Sequence, residues 1–198
     1  MKLSSNRVQN PFVLGIVLSM LVVAFGLGQT TSPKDISYVY AQGKINGQEY
    51  RNDYFGLTLA LESVQFTRGA FVSSEGKRAR LVDAQASTKN REDRYEIAVL
   101  ADLLAANPLI HSPEQYVRAV RHGLEREGLA TVSQESPVDI SGIHFIATTM
   151  RANDVGNTYC LYTTFLNEYI LSLDVMAASP ERLTKIVQSM VHFKNPGK

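Results

Sequence analysis

The stretch 157–193 constrains this chain most. Thr158–Leu166 (TYCLYTTFL) and Tyr169–Ala177 (YILSLDVMA) are dense in β-branched and aromatic residues, the types that suit a pleated, half-buried surface. Only Asn167-Glu168 lies between them. A two-residue turn there pairs Leu166 with Tyr169, Thr164 with Leu171, Tyr162 with Leu173 and Cys160 with Val175. These pairs share one face, because side chains alternate with period two. The opposite face carries Tyr159, Leu161, Phe165, Ile170 and Met176, interspersed with Thr163, Ser172 and Asp174. The first is a core face and the second is partly covered. Glu168 fits poorly in a type I′ turn, which needs φ > 0 at both central residues, so a longer loop with the register shifted by one is the alternative.

The hairpin runs into a helix. Ser179 is a preferred N-cap, Pro180 suits the first helical position, and Glu181 complements the helix dipole. Leu183, Ile186, Val187 and Met190 then form one apolar stripe. A second helix opens the same way at Ser112-Pro113-Glu114-Gln115, where Ser112 and Gln115 match a capping box. Its stripe is Tyr116, Val117, Val120 and Leu124, and Gly128 closes it.

Between these landmarks, 43–50 holds an Asn46-Gly47 hairpin signal. Residues 54–61 read as a strand with Leu57, Leu59 and Leu61 on one face. Residues 80–87 and 95–104 read as a strand pair joined by polar 88–94. Residues 131–138 and 143–150 are further strands, turned at Ser141-Gly142. The segment 62–77 reads as either a short helix or irregular chain. The pattern is α+β: a mostly antiparallel sheet with helices packed on it.

Residues 1–10 carry Lys2 and Arg7 and no acid, and 11–27 (PFVLGIVLSMLVVAFGL) carry no charge. That is the layout of a secretory signal, with small residues at Gly26 and Gly28 for cleavage. Retained instead, the 17-residue run is a short membrane anchor. Either way the bulk of the chain is expected outside the cytoplasm, periplasmic or secreted, or held at the inner membrane by residues 11–27. The expected organisation is a signal or anchor over 1–28, a linker over 29–42 and one α+β domain over 43–195.

The formal charge is +1 over 198 residues, which gives no electrostatic reason to expect nucleic acid as a partner. A single cysteine makes neither an intramolecular disulfide nor a cysteine zinc site.

Tyr50-Arg51-Asn52-Asp53-Tyr54-Phe55-Gly56-Leu57, after a Gly-containing hairpin, resembles the Y-x-N-x-Y-F-G-L opening of small exported bacterial proteins with the PsbP-like α/β/α sandwich. The closing pattern is also similar: an Asn-led turn, then Ala178-Ser179-Pro180-Glu181-Arg182-Leu183, then Ser189-Met190-Val191-His192-Phe193. The resemblance spans 43–193. Glu168 stands where the family pattern has glycine, and the segment after Leu61 lacks the usual Pro/Gly-Trp stretch. The resemblance implies the sandwich fold and non-catalytic binding outside the cytoplasm. It carries no catalytic residue, and fold alone does not give function.

Residues of chemical interest read mostly as structural. Cys160 lies on the core face as a small hydrophobe. His111, His122, His144 and His192 show no metal-ligand spacing. Glu96, Asp83 and Asp102 lie within strands, where facing carboxylates can act as an acid–base pair. Ion pairing with Arg78, Arg80 or Arg94 is the plainer reading. Lys77, Arg78, Arg80, Lys89, Arg91 and Arg94 form the most basic region, diluted by Glu75, Asp83, Glu92 and Asp93. Tyr38, Tyr40, Tyr50, Tyr54 and Phe55 suit either a recognition patch or packing of the first hairpin. No phosphate loop, nucleophile elbow or His-Glu-x-x-His occurs. No catalytic, cofactor or metal residue is assigned.

The expected function is therefore a non-catalytic exported binding or accessory module at the cell envelope. Its expected partner is an envelope protein, with the membrane added if the N-terminal segment is retained. The alternative is a small extracytoplasmic hydrolase or ligand-processing enzyme, with a site on the half-wet sheet face near Glu96, Asp102 and His144.

Overall fold

The computed structural model describes residues 35–60, 64–68, 72–73, 75–86, 88, 90, 93–152 and 156–194. The proposed signal or anchor over 1–28 and the first part of the linker lie outside these residues. Among the described residues no helix is long and apolar enough to cross a membrane.

The C-terminal hairpin forms as its composition dictates. β9 (Thr158–Leu166) and β10 (Tyr169–Ala177) pair antiparallel, with Leu166 opposite Tyr169, Tyr162 opposite Leu173 and Cys160 opposite Val175. The turn has two residues, and both are left-handed: Asn167 at φ 50° and Glu168 at φ 69°. Asn tolerates this conformation, whereas Glu pays about 1–2 kcal/mol in steric strain. The backbone N–H of Leu104 donates to the Glu168 carbonyl at 3.0 Å and helps hold the residue there.

Around this hairpin, antiparallel neighbours build a seven-stranded sheet in the order β4-β5-β6-β10-β9-β8-β7. β4 is Val64–Arg68, β5 Arg78–Ala86, β6 Tyr95–Leu103, β7 Leu129–Ile140 and β8 Ile143–Ala152. The edge strand β7 carries Pro137 and register shifts after Thr131 and Ser133, features that discourage pairing with another chain.

A four-stranded sheet, β1-β2-β3-β11, packs on one face of the larger one. β1 is Gly43–Asn46, β2 Glu49–Asn52, β3 Leu57–Ala60 and β11 Val191–Phe193. In the β1–β2 hairpin, Asn46 pairs with Glu49, so the turn residues are Gly47 and Gln48. Gly47, at φ 58°, takes the left-handed position that a II′ turn requires first. Two helices join this layer. α1 (Ile36–Ala41) is capped by Asp35 and buries Ile36 and Val39. α3 (Pro180–Met190) buries Leu183, Ile186 and Val187, and its N-cap Ser179 accepts from Arg182 N. One apolar core joins the two sheets, with Tyr50, Phe55, Leu57, Leu59, Leu171, Leu173 and Val175 fully buried.

The other face of the seven-stranded sheet is covered over β7, β8 and β9 by α2 (Pro113–Arg126). Tyr116, Val117 and Leu124 of the expected stripe are buried, and Val120 is half-buried. Ser112 caps the helix as expected. The Gln115 side chain reaches back one residue further than a capping box, accepting from His111 N at 2.8 Å.

Three expectations need correction. The stretch 29–42 is not linker throughout, because Asp35 caps a helix whose apolar residues enter the core. The segment 62–77 contains the edge strand β4, neither helix nor wholly irregular, with Val64 inward. The last strand, β11, pairs with β3 and completes a second sheet, where a single sheet was expected. In addition, β3 begins at Leu57, since 53–56 form a turn, and Leu61 lies outside the described residues.

Candidate functional site

Two groups of residues hold most of the buried polar chemistry. The first surrounds the Tyr50–Leu57 signature. The Asn52 side chain, fully buried, donates to the Val39 carbonyl at 3.0 Å and to the Tyr50 hydroxyl at 3.3 Å. Its oxygen accepts from Tyr54 N at 3.1 Å and Phe55 N at 3.3 Å. One side chain thereby ties α1, β2 and the following turn. The Tyr54 hydroxyl donates to the Asn167 carbonyl at 2.9 Å, and the Asn167 amide donates back to the Tyr54 carbonyl at 2.8 Å. Tyr54 also meets Tyr38, Phe55 and Tyr169 edge-on at 6.2, 5.0 and 5.8 Å, a favoured aromatic geometry. Gly56, at φ 63°, accepts from Lys194 N at 2.8 Å, and a Cβ there would lie 2.5 Å from the Lys194 carbonyl oxygen. Asn52, Tyr54 and Gly56 therefore clamp chain to chain. Tyr38 is the partly open member, 45% exposed.

The second group lies on the α2 face of the seven-stranded sheet. Arg78 and Asp102 are directly opposite across β5 and β6 and form a two-pronged ion pair, Nη2 to Oδ2 at 2.9 Å with Nε to Oδ1 beside it. The Tyr116 hydroxyl of α2 donates to Asp102 at 2.6 Å and accepts from Arg78 at 3.3 Å. Burial opposes the Arg78 charge, but Asp102 more than offsets it and raises the pKa. Burial, then the Asp102 charge, pushes the Tyr116 phenol well up. The alternation of β5 breaks at Leu81, which has no cross-strand partner and is buried together with Val82. This bulge brings Arg80 and Asp83, three residues apart, onto one face, where they pair at 2.5 Å.

On the neighbouring strand β10, Asp174 is 5% exposed and flanked across the sheet by Ala98 and Leu161. The buried Tyr159 hydroxyl lies beside this carboxylate. Burial is the main cause that lifts the Asp174 pKa to about 7; Tyr159, Arg80 and Arg78 pull it down, and Asp102 pushes it up. Ser172 and Thr163 close the row with a 3.2 Å hydroxyl pair.

The residues grouped as a half-wet catalytic face do not converge. Glu96 and Asp102 are six positions apart on β6, roughly 20 Å. His144, on β8, is three strands away from β6, roughly 14 Å, exposed and 3.0 Å from Asp139. Glu96 accepts from Gln85 at 2.7 Å, and partial burial raises its pKa. Cys160 is buried, and burial pushes its thiol up, the opposite of an activated nucleophile. In the basic region, Arg78 turns inward to Asp102, Lys77 pairs with Glu75 at 2.7 Å, and Arg94 donates to the Thr88 carbonyl. Lys89 and Arg91 lie outside the described residues. His111, His122 and His192 are exposed, and among the described residues no cluster of His, Cys, Asp or Glu is arranged to hold a metal. A shallow, open depression runs along the outward side of α3 by Glu181, Thr184, Lys185, Gln188 and Ser189.

No protein-family model matches the chain, and no curated protein matches it. The solution structure of cyanobacterial PsbP (CyanoP) from Synechocystis sp. PCC 6803 is similar, with a TM-score of 0.50 over 78% of this chain and 99% of that one, at 13% identity. The fold is PsbP-like. Within this PsbP-like fold, Asp174 and the Arg78–Asp102–Tyr116 group are what reading the sequence missed as a unit. The available signal was Arg78 and Asp102 on facing strands. Tyr116 instead read as plain core, because its ring does sit in the apolar stripe.

Proposed function

We propose that this chain is an exported, non-catalytic binding or accessory module of the cell envelope. The observation that carries this reading is how the chemically capable side chains are used. Asn52, Tyr54 and Gly56 clamp chain segments together, Arg78 and Asp102 neutralise each other beneath α2, and the Cys160 thiol is held protonated. The PsbP-like fold and the basic-then-apolar N-terminal segment support it further.

Affinity purification of the full-length protein from gently solubilised membranes tests the proposal, with mass spectrometry of the bait and of everything bound. The expected result is a stoichiometric envelope protein. A bare bait with a turnover that one carboxylate or histidine substitution abolishes overturns it. The N-terminal mass of the same bait distinguishes cleavage after Gly28 from a retained anchor.

A further inference from the structure

Asn46-Gly47 is the one Asn-Gly step in the chain, and it stands at the tip of the β1–β2 hairpin. Lys44 to Gln48 are all exposed. The ladder ends at the Asn46–Glu49 pair, so the Gly47 N–H lies beyond it. Gly47 has no side chain to shield that nitrogen, and even an added Cβ would meet nothing within 4 Å. The Asn46 side-chain amide has no hydrogen-bond partner among the described residues. Other asparagine amides are held: Asn52 donates to the Val39 carbonyl and Asn167 to the Tyr54 carbonyl. Asn107 precedes a proline, whose nitrogen carries no hydrogen.

We propose that Asn46 is a site of spontaneous deamidation and isoaspartate formation, and that the product unlatches the hairpin from the larger sheet. After losing its proton, the Gly47 nitrogen attacks the carbonyl carbon of the Asn46 side chain. The bond from that carbon to the amide nitrogen breaks, and ammonia leaves. Water then opens the five-membered imide. Opening at the side-chain carbonyl gives an ordinary aspartyl residue. Opening at the main-chain carbonyl gives an isoaspartyl residue, with the chain running through Cβ. Both products gain a negative charge, and the second adds one methylene to the main chain. Ring closure requires Asn46 to leave its extended pairing with Glu49. That opening is cheap, because residues 46–48 include no apolar side chain and exposed tips lie at the low end of local stability. The consequence lies one residue further on. The Gln48 side chain accepts from Val64 N at 3.1 Å and ties the four-stranded sheet to β4, the edge of the seven-stranded one. Loop length fixes the register of a hairpin, so a methylene added at 46 shifts the turn and withdraws Gln48 from Val64.

Ageing of the full chain at pH 8, alongside a synthetic peptide covering 43–50, tests this. Peptide mapping by mass spectrometry, with enzymatic methylation of isoaspartate, reads both. Asn46 is expected to convert faster than every other asparagine and within about tenfold of the free peptide, a slowing that corresponds to an opening cost of about 1.4 kcal/mol or less. Slower conversion overturns the proposal, since the fold would then hold the tip closed. Faster conversion at another asparagine overturns it as well. Asn46→Ser, which has no side-chain amide, supplies the second arm. In the aged wild type, the isoaspartyl fraction is expected to lose protection of the Val64 amide against hydrogen exchange, while Asn46→Ser aged alongside keeps it. Equal Val64 protection in the two overturns the unlatching.

Discussion

The two faces of the seven-stranded sheet place their polar groups differently. Towards the four-stranded sheet, the buried rows run through Ala101, Val99, Ile97 and Tyr95 on β6 and through Leu171, Leu173 and Val175 on β10, with Thr158 and Thr164 as polar exceptions on β9. Towards α2, the same strands bury Asp102, Ser172, Asp174 and Thr163 among Ala98, Leu100, Leu161 and Ile170. The first face is held by area removed from water, about 25 cal/mol per Å², and among the described residues it buries no carboxylate or imidazole. The second is held partly by charge pairs whose net contribution is small, and its stability depends on protonation. The polar clamps of the first layer, at Asn52 and Gly56, sit at the rim of the core, where chain segments meet.

The comparison can be broken first at its strongest joint. Gly56→Ala places a Cβ against the Lys194 carbonyl in a backbone conformation that costs alanine about 1–2 kcal/mol by itself. A loss of about 3 kcal/mol or more in urea unfolding is expected, independent of pH. Asn52→Ala follows, with a loss on the order of 2–3 kcal/mol, because the Val39 carbonyl and two backbone N–H groups lose their partner in a buried site. Thermal unfolding measures it, and a change under about 0.5 kcal/mol would mean that the clamp is redundant. Glu168→Gly is expected to gain about 1 kcal/mol by relieving the left-handed turn; an unchanged melting temperature would show that the turn carries no strain. Glu96→Gln, on the open part of the α2 face, is expected to shift stability by less than about 0.5 kcal/mol at pH 7.

How far the fold was legible depended on the length of each pattern. β9 and β10 each alternate over nine residues, so one register satisfies both, and it formed even with Glu168 in a position suited to glycine. Both longer helices carry Ser-Pro-Glu starts and full stripes. The elements missed are short: α1 has six residues, β11 has three, and β4 shows only Val64 and Phe66 as an apolar alternation. β11 pairs with β3, far upstream in the chain, and its three residues give no periodicity to read. On the α2 face, each partner was visible as a residue type but the grouping was not, because strand order decides it. Glu96, Asp102 and His144 share a face yet are separated by strand length and by two intervening strands. Arg78, Asp102 and Tyr116 come from two strands and a helix and do meet.

The most direct measurement is urea unfolding of the full chain at pH 5 and pH 8, for wild type and Asp174→Asn. Asp174 has a raised folded pKa, so its contribution favours the folded state at acid pH and is lost as pH rises towards 7. The lowered pKa values of Glu114, Glu125, Glu135 and Glu181 matter only below about pH 4.5, outside this interval. The account predicts that wild type loses on the order of 2 kcal/mol between pH 5 and 8 relative to Asp174→Asn. Parallel pH dependence in the two proteins would contradict it, and the α2 face would then be as insensitive to protons as the core.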